Sequence, residues 1–296
     1  MAATIIDGRK LAEEIKRDVK REAEKVCRER GITPGLAFIL VGENPASESY
    51  VRSKGKACEQ MGFRSVTQSL PATVSQADLL EHVARFNQDP AMHGVLVQLP
   101  LPRHIDEQAI IEAVDYRKDV DGFHPINVGR LVIGLPCLKP CTPAGVQEMM
   151  LRSGIDPSGK HVVIVGRSNI VGKPLVNILL QKQKGANAIV TVVHTGTADI
   201  AAFTRTADIV IAALGKPGAI TGGMLKPGCV VIDVGINRIP DPSSPKGTRI
   251  VGDVDFASAA EVASAITPVP GGVGLMTVAM LMKNTLLAAQ GGLYVW

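Results

Sequence analysis

The fold turns on His161-Val162-Val163-Ile164-Val165-Gly166-Arg167-Ser168-Asn169-Ile170-Val171-Gly172-Lys173-Pro174. A short run rich in β-branched residues reads as a buried strand, Gly166 as a tight turn, and 171–181 as the helix that follows. Glycine at the strand end lets the backbone approach a phosphate, and the next helix offers free amides and a positive dipole end. The spacing departs from G-x-G-x-x-G, since Ser168 replaces the second glycine and Gly172 comes late. An ordinary strand-to-helix turn is therefore the alternative reading.

The next strand, 189–193, speaks to cofactor choice. An NAD site places an acid about twenty residues beyond the glycine turn to hold the ribose 2′-hydroxyl. Here the strand runs into His194-Thr195-Gly196-Thr197, and no carboxylate appears before Asp199. A 2′-phosphate is tolerated, with charge from Arg167 and a hydrogen bond from Thr195, so NADP is favoured over NAD. The alternative is a site that merely lacks selectivity.

Outward from this unit the pattern stays α/β. Strands at 209–214 and 230–234 continue dinucleotide-fold order. Residues 239–248, rich in proline and serine, read as a surface excursion before a strand at 250–251. In the first half, helix 8–30, strand 36–41, a helix carrying Lys54, strand 64–70, helix 75–87 and strand 94–99 alternate, which predicts a parallel sheet covered by helices. Gln98 falls near a strand end, where ligands of such sheets gather. Asp119-Val120-Asp121-Gly122 reads as a turn, a helix at 145–153 bridges to the second unit, and the last helix spans 276–289.

Lys54 stands out within its helix. Asn44-Pro45 reads as a cap followed by proline in the first turn, and Tyr50, Lys54, Ala57 and Met61 recur along one face. Arg52, Lys56, Glu59 and Gln60 take the other faces, so the charge lies in the apolar stripe. A lysine held among apolar neighbours has its ammonium form disfavoured and becomes a base near neutral pH. The alternative is an amine that snorkels to solvent over an apolar stem.

Composition excludes several classes. The 296 residues suggest two domains, and 46% hydrophobic with 20% charged residues suits a globular, soluble chain. The apolar runs read as too short to span a bilayer, and the start carries Asp7 and Arg9 with no signal-peptide core, so a cytoplasmic location without membrane attachment is expected. Five cysteines at irregular spacing suit a reducing compartment. Cys137 and Cys141 have no second pair and the six histidines form none, so no metal is expected. A net charge of +4 without a basic block, and few aromatic residues, argue against nucleic acid.

Five motifs then stand in register: Tyr50-x-x-x-Lys54, Val97-Gln98-Leu99-Pro100-Leu101, Lys118-Asp119-Val120-Asp121-Gly122, Gly166-Arg167-Ser168 with Val171-Gly172-x-Pro174, and Thr267-Pro-Val-Pro-Gly-Gly-Val-Gly274. In order and near spacing they resemble the bifunctional methylenetetrahydrofolate dehydrogenase/cyclohydrolase family, over essentially the whole chain. The resemblance implies oxidation of 5,10-methylenetetrahydrofolate to the methenyl form with NADP, and hydrolysis of that to 10-formyltetrahydrofolate. It implies Lys54, Gln98, Tyr50 and Asp121 as catalytic, with Lys54 the proton carrier, Gln98 its partner, Tyr50 against the folate ring system and Asp121 on the pterin. Val51, Arg52, Ser53, Val97, Leu99, Pro270, Gly271, Gly272, Val273 and Gly274 would complete the folate side. Gly166, Arg167 and Ser168 would hold cofactor phosphate, flanked by Thr195 and Ile236. The expected architecture is a Rossmann-like domain (147–274) inserted into an α/β catalytic domain (1–146, returning at 275–296), with the active site in the interdomain cleft. A homodimer acting on a folate substrate, polyglutamylated, is also implied. One departure is Leu275, where the family commonly has proline.

Overall fold

The computed structural model describes residues 3–244 and 247–294. The chain divides into two compact units, one formed by the chain up to Ala12 with Thr142–Thr277, the other by Glu13–Cys141 with the chain from Val278 on.

Strands in chain order are β1 (Thr4–Ile5), β2 (Gly35–Val41), β3 (Arg64–Leu70), β4 (Gly94–Val97), β5 (His161–Val165), β6 (Ile189–Val193), β7 (Ile209–Ala212), β8 (Val230–Asp233), β9 (Asn237–Pro240), β10 (Thr248–Val251) and β11 (Ala265–Ile266). The first unit holds a sheet in the order β1-β11-β8-β7-β5-β6, every neighbouring pair parallel. Its central strands are sealed: Val162 to Val165 and Val210 to Ala212 have no exposed surface, as a sheet covered on both faces requires. Strand β5 pairs with β6 on one side and β7 on the other, so the winding reverses there. Ligands of such sheets bind outside the carboxyl ends at that reversal, where Gly166 follows β5.

Two expectations change here. The excursion at 239–248 is not a plain loop: its arms form an antiparallel hairpin, with Thr248 opposite Pro240 and Val251 opposite Asn237. Proline closes β9 rather than excluding it, because strand ends and edges tolerate the missing donor. The start of the chain, expected in the catalytic domain, adds β1 beside β11 in this sheet. Strands of two residues carry no periodic signal.

The second unit centres on the parallel sheet β3-β2-β4. The middle strand β2 is buried throughout. The helix Gln76–Gln88 is capped by Ser75, whose side chain accepts the Asp78 N–H, and its Leu79, Val83 and Phe86 pack in one core with Ala37, Ile39 and Val95. Beyond β4 the chain returns alongside it, bridging Val95 to Asp119. Gly94 permits this approach, since a Cβ there would lie 2.6 Å from Val120 Cγ1. The helices Pro125–Val132 and Phe256–Val262 had no counterpart in the sequence reading. The final helix, Val273–Gln290, is long and apolar enough by length and composition to cross a membrane. Its Met276, Ala279, Met282 and Leu286 are buried within the protein.

Two glycine substitutions should act in opposite directions. A Cβ on Gly172 would sit 2.3 Å from the Gly166 carbonyl oxygen, whereas one on Gly129, inside the helix Pro125–Val132, meets nothing within 4 Å. Gly172→Ala should destabilise by about 1–3 kcal/mol through overpacking. Gly129→Ala should stabilise by about 0.4–1 kcal/mol. Urea midpoints of the two variants moving the same way would contradict this.

Candidate active site

The helix Pro45–Gln60 carries Lys54, and Asn44 Oδ1 accepts the Ser47 N–H at its start. The stripe is as expected from the sequence, with Ala57 and Met61 buried and Lys54 only 7% exposed. The amine does not snorkel. Lys54 Nζ donates to Gln98 Oε1 at 3.0 Å, while Gln98 Nε2 donates to the Leu99 carbonyl at 2.8 Å. The second bond fixes the sense of the amide, so that its oxygen meets the amine. Gln98 itself is set by the sheet, since its N–H donates to the Ile39 carbonyl and extends the ladder past the end of β4. Tyr50, one turn before the lysine, is exposed, with its ring centroid 5.9 Å from Nζ.

The acidic motif after β4 holds two carboxylates with different jobs. Asp119 is buried and accepts from the Gly122 and His124 N–H groups and from Asn127 Nδ2. It is the turn aspartate. Asp121 takes part in none of these bonds. Burial pushes its carboxyl up to about 6, the Lys54 ammonium pulls the other way, and the Asp119 charge adds to the rise. Val97, Leu99, Asp119 and Asp121 line one small recess.

Not every residue expected on the folate side joins this cluster. Val51 is buried, and together with Arg52 it lines a groove between the lysine helix and Ser65, Thr67 and Ser69 of β3, a groove that includes neither Lys54 nor Gln98. On a helix residues 51 and 52 point away from the 50–54 face. Ser53 is exposed. Residues 270–274 belong to the other unit, where a Cβ on Gly274 would lie 3.1 Å from Ile236 Cδ1. Leu275 is exposed near the start of the final helix, its N–H directed to the Gly272 carbonyl at 3.3 Å.

In the first unit Gly166 has φ +139°, and a Cβ would lie 2.2 Å from the Ala213 carbonyl oxygen. Only glycine fits. Arg167 and Ser168 emerge exposed beyond it. Ser168 Oγ accepts from the N–H groups of Val171 and Gly172, capping the helix Gly172–Leu179. Strands β5 and β6 run in register with Val165 opposite Val193, so Arg167 and Thr195 follow neighbouring strand ends. No acid stands between Val193 and Asp199, and the Asp199 carboxylate is engaged by the Ala202 N–H. A glycine cradle, an exposed guanidinium and the missing acid fit a dinucleotide bearing a 2′-phosphate.

Sequence reasoning missed Asp233 and Asp253. Asp233 accepts from the N–H groups of Gly235, Asp253 and Val254, and Asp253 accepts from those of Leu214 and Gly215 and from Asn237. They tie the ends of β7 and β8 to the chain after β10. Burial pushes the Asp233 carboxyl up to about 6 against those bonds. The available signal was an acid closing the apolar run of β8.

Two family models match the chain: tetrahydrofolate dehydrogenase/cyclohydrolase, catalytic domain, over residues 6–121, and the NAD(P)-binding domain of the same family over residues 140–292. The chain belongs to this family. The Bifunctional protein FolD of Syntrophus aciditrophicus (strain SB) is 59% identical over 290 residues, covering 98% of both chains. Among solved structures, the bifunctional FolD methylenetetrahydrofolate dehydrogenase/cyclohydrolase of Campylobacter jejuni is 46% identical with a TM-score of 0.91, over 98% of this chain and 99% of that one. The Trypanosoma brucei enzyme, solved with NADP cofactor and an inhibitor, is 43% identical with a TM-score of 0.92, over 98% of each chain.

For this family member the raised Asp121 carboxyl has a consequence for stability. With a folded value near 6 against an ordinary 3.8, the folded chain takes up the proton first. The contribution is fully favourable below about 4 and is lost as pH rises through 6. Asp121→Asn, which carries no charge, should therefore be more stable than the parent at pH 8, by on the order of 1 kcal/mol after allowing for partial solvent screening. Denaturant midpoints compared from pH 4 to 8 should converge at the acid end. A constant offset would contradict the assignment.

Proposed function

We propose that this chain oxidises 5,10-methylenetetrahydrofolate to 5,10-methenyltetrahydrofolate with NADP and hydrolyses the methenyl form to 10-formyltetrahydrofolate. The observation that carries this reading is the part-buried Lys54–Gln98 hydrogen bond, with the Asp121 carboxylate close enough to feel the Lys54 charge, in a chain matched by this family over residues 6–121 and 140–292.

When bound, NADP supplies the hydride acceptor. Oxidising a carbon between two nitrogens needs no protein base, because a nitrogen lone pair drives the hydride out; positioning carries that step. Asp121 accepts from the pterin ring N–H and 2-amino group together, a paired, charge-assisted geometry, and Tyr50 packs on the folate rings. Hydrolysis does need proton transfer. Water attacking the methenyl carbon gives one proton to Lys54 Nζ, Nζ returns a proton to N5 as the bond from carbon to N5 breaks, and the hydroxyl left on that carbon releases its proton to solvent as the formyl carbonyl forms. Gln98 Oε1 holds the amine in place between the two transfers. Gly166, Arg167, Ser168 and Thr195 hold the NADP phosphates, with Arg167 and Thr195 on the 2′-phosphate and Ile236 beside them.

We further infer a cytoplasmic homodimer acting on polyglutamylated folate. The free thiols of Cys27, Cys58, Cys137, Cys141 and Cys229 support a reducing compartment. The dimer and the polyglutamate tail rest on the family resemblance.

Mixing the protein with methylenetetrahydrofolate and NADP+, and following NADPH and methenyl absorbance together, tests both half-reactions. Lys54→Met should lower hydrolysis about a hundred- to ten-thousandfold while NADPH still forms and methenyl product accumulates. Hydrolysis within threefold of the parent would remove Lys54 as proton carrier.

Arg167→Ala should raise the KM for NADP+ more than that for NAD+. Its guanidinium is exposed beyond β5, and no acid closes β6 to exclude a 2′-phosphate. Equal changes for the two cofactors would show that Arg167 does not meet that phosphate.

A further inference from the structure

The final helix carries Asn284 on a face that is otherwise apolar, and its side chain is 3% exposed. Its Nδ2 donates to two backbone carbonyls, Val120 and Lys139, each at 2.8 Å. The Val120 carbonyl precedes Asp121 directly. It also receives Cys141 Sγ at 3.3 Å, from a thiol that burial pushes well above its ordinary range and so keeps protonated as a donor. The two segments that Asn284 joins also meet at Gly122, which has φ +74° and where a Cβ would lie 2.5 Å from the Lys139 carbonyl carbon. Asp119 closes the turn from within and, through the Gly122 N–H, holds the peptide that follows Asp121, whereas Asn284 holds the peptide that precedes it.

We infer that Asn284 is a positioning residue for substrate: by tying the Val120 carbonyl to the Lys139 segment, it sets the direction of the Asp121 carboxylate toward the pterin. No backbone donor can replace it, because within a helix the backbone N–H groups are already committed to the helix. Without the amide the Val120 carbonyl is left with the weaker Cys141 thiol donor and the Lys139 carbonyl loses its bond to Asn284, so the turn shifts to recover water or another partner. Asn284 does not touch substrate. The inference rests on Asp121 contacting the pterin, so its test must separate the two.

The test is a double-mutant cycle on the full chain, reading tetrahydrofolate affinity by calorimetry, since this ligand carries the pterin without the reacting carbon. NADPH affinity, read by fluorescence, reports the other unit and monitors folding. Asn284→Ala should weaken tetrahydrofolate about tenfold and leave NADPH affinity unchanged. The double variant with Asp121→Ala should bind no more weakly than Asp121→Ala alone, because a carboxylate that is absent cannot be misdirected. In turnover, Asn284→Ala should raise the folate KM with little change in hydrolytic kcat, a split that general destabilisation does not produce. Should Asn284→Ala fail to fold, Asn284→Ser retains a donor of smaller reach, and partial recovery of affinity relative to the parent is the expected result. Tetrahydrofolate affinity within twofold of the parent, or losses that multiply in the double variant, would overturn the inference. Affinity unmoved in Asp121→Ala itself would instead remove Asp121 from the pterin, and this positioning role with it.

Discussion

The site depends on satisfying one ammonium inside an apolar stripe. Taking a lysine out of water without a partner is costly enough that the group would rather lose its charge or leave the interior. Here the partner is an amide oxygen, not a carboxylate. A carboxylate in that place would form a strong ion pair, whereas an amide oxygen orients the amine through a single hydrogen bond. Gln98 can serve only because everything behind it is fixed. Its N–H continues the ladder with Ile39 of the fully buried β2, and its own Nε2 is occupied by the Leu99 carbonyl. The rigidity of the three-stranded sheet thus becomes the positional accuracy of the Lys54 amine.

The same economy of partners separates the two aspartates of the acidic motif. Two residues apart, they would look interchangeable on chemical grounds. Asp119 is surrounded by backbone and amide donors, which makes it a fastening. Asp121 has burial without those donors, and its carboxyl is accordingly raised to about 6. A carboxylate that the turn does not fasten carries a stability cost when ionised at neutral pH.

On the nucleotide side the controlling constraint is steric. Gly166 and Gly172 exist because carbonyls stand where their Cβ atoms would be, so β5, β7 and the helix Gly172–Leu179 close up around the turn. This was legible from the sequence, since strand, glycine and helix are local patterns. The central strands and the lysine stripe were legible for the same reason. The hairpin at Asn237–Pro240 and Thr248–Val251 was not, because prolines that mark its limits read as loop, and its register is set across the sheet.

Asn284, Asp233 and Asp253 show a different limit. Each acts on backbone groups far away in sequence, Asn284 across more than a hundred residues, and no local window contains both donor and acceptor. Yet the rule that singled out Lys54 applies to Asn284 as well: a polar side chain in the apolar stripe of a helix has displaced a hydrophobic residue that would have stabilised the core. Such a position persists only where something buried needs it. Lys54 is marked by an exposed aromatic neighbour, Tyr50, together with an amide partner just past a strand end. For Asn284 the need is a pair of main-chain carbonyls, and the tell is that no charge can be tolerated there, only an amide that donates without carrying one. The two stripes therefore differ in what they bury: at Lys54 an amine met by a side-chain amide, at Asn284 an amide that meets main-chain carbonyls.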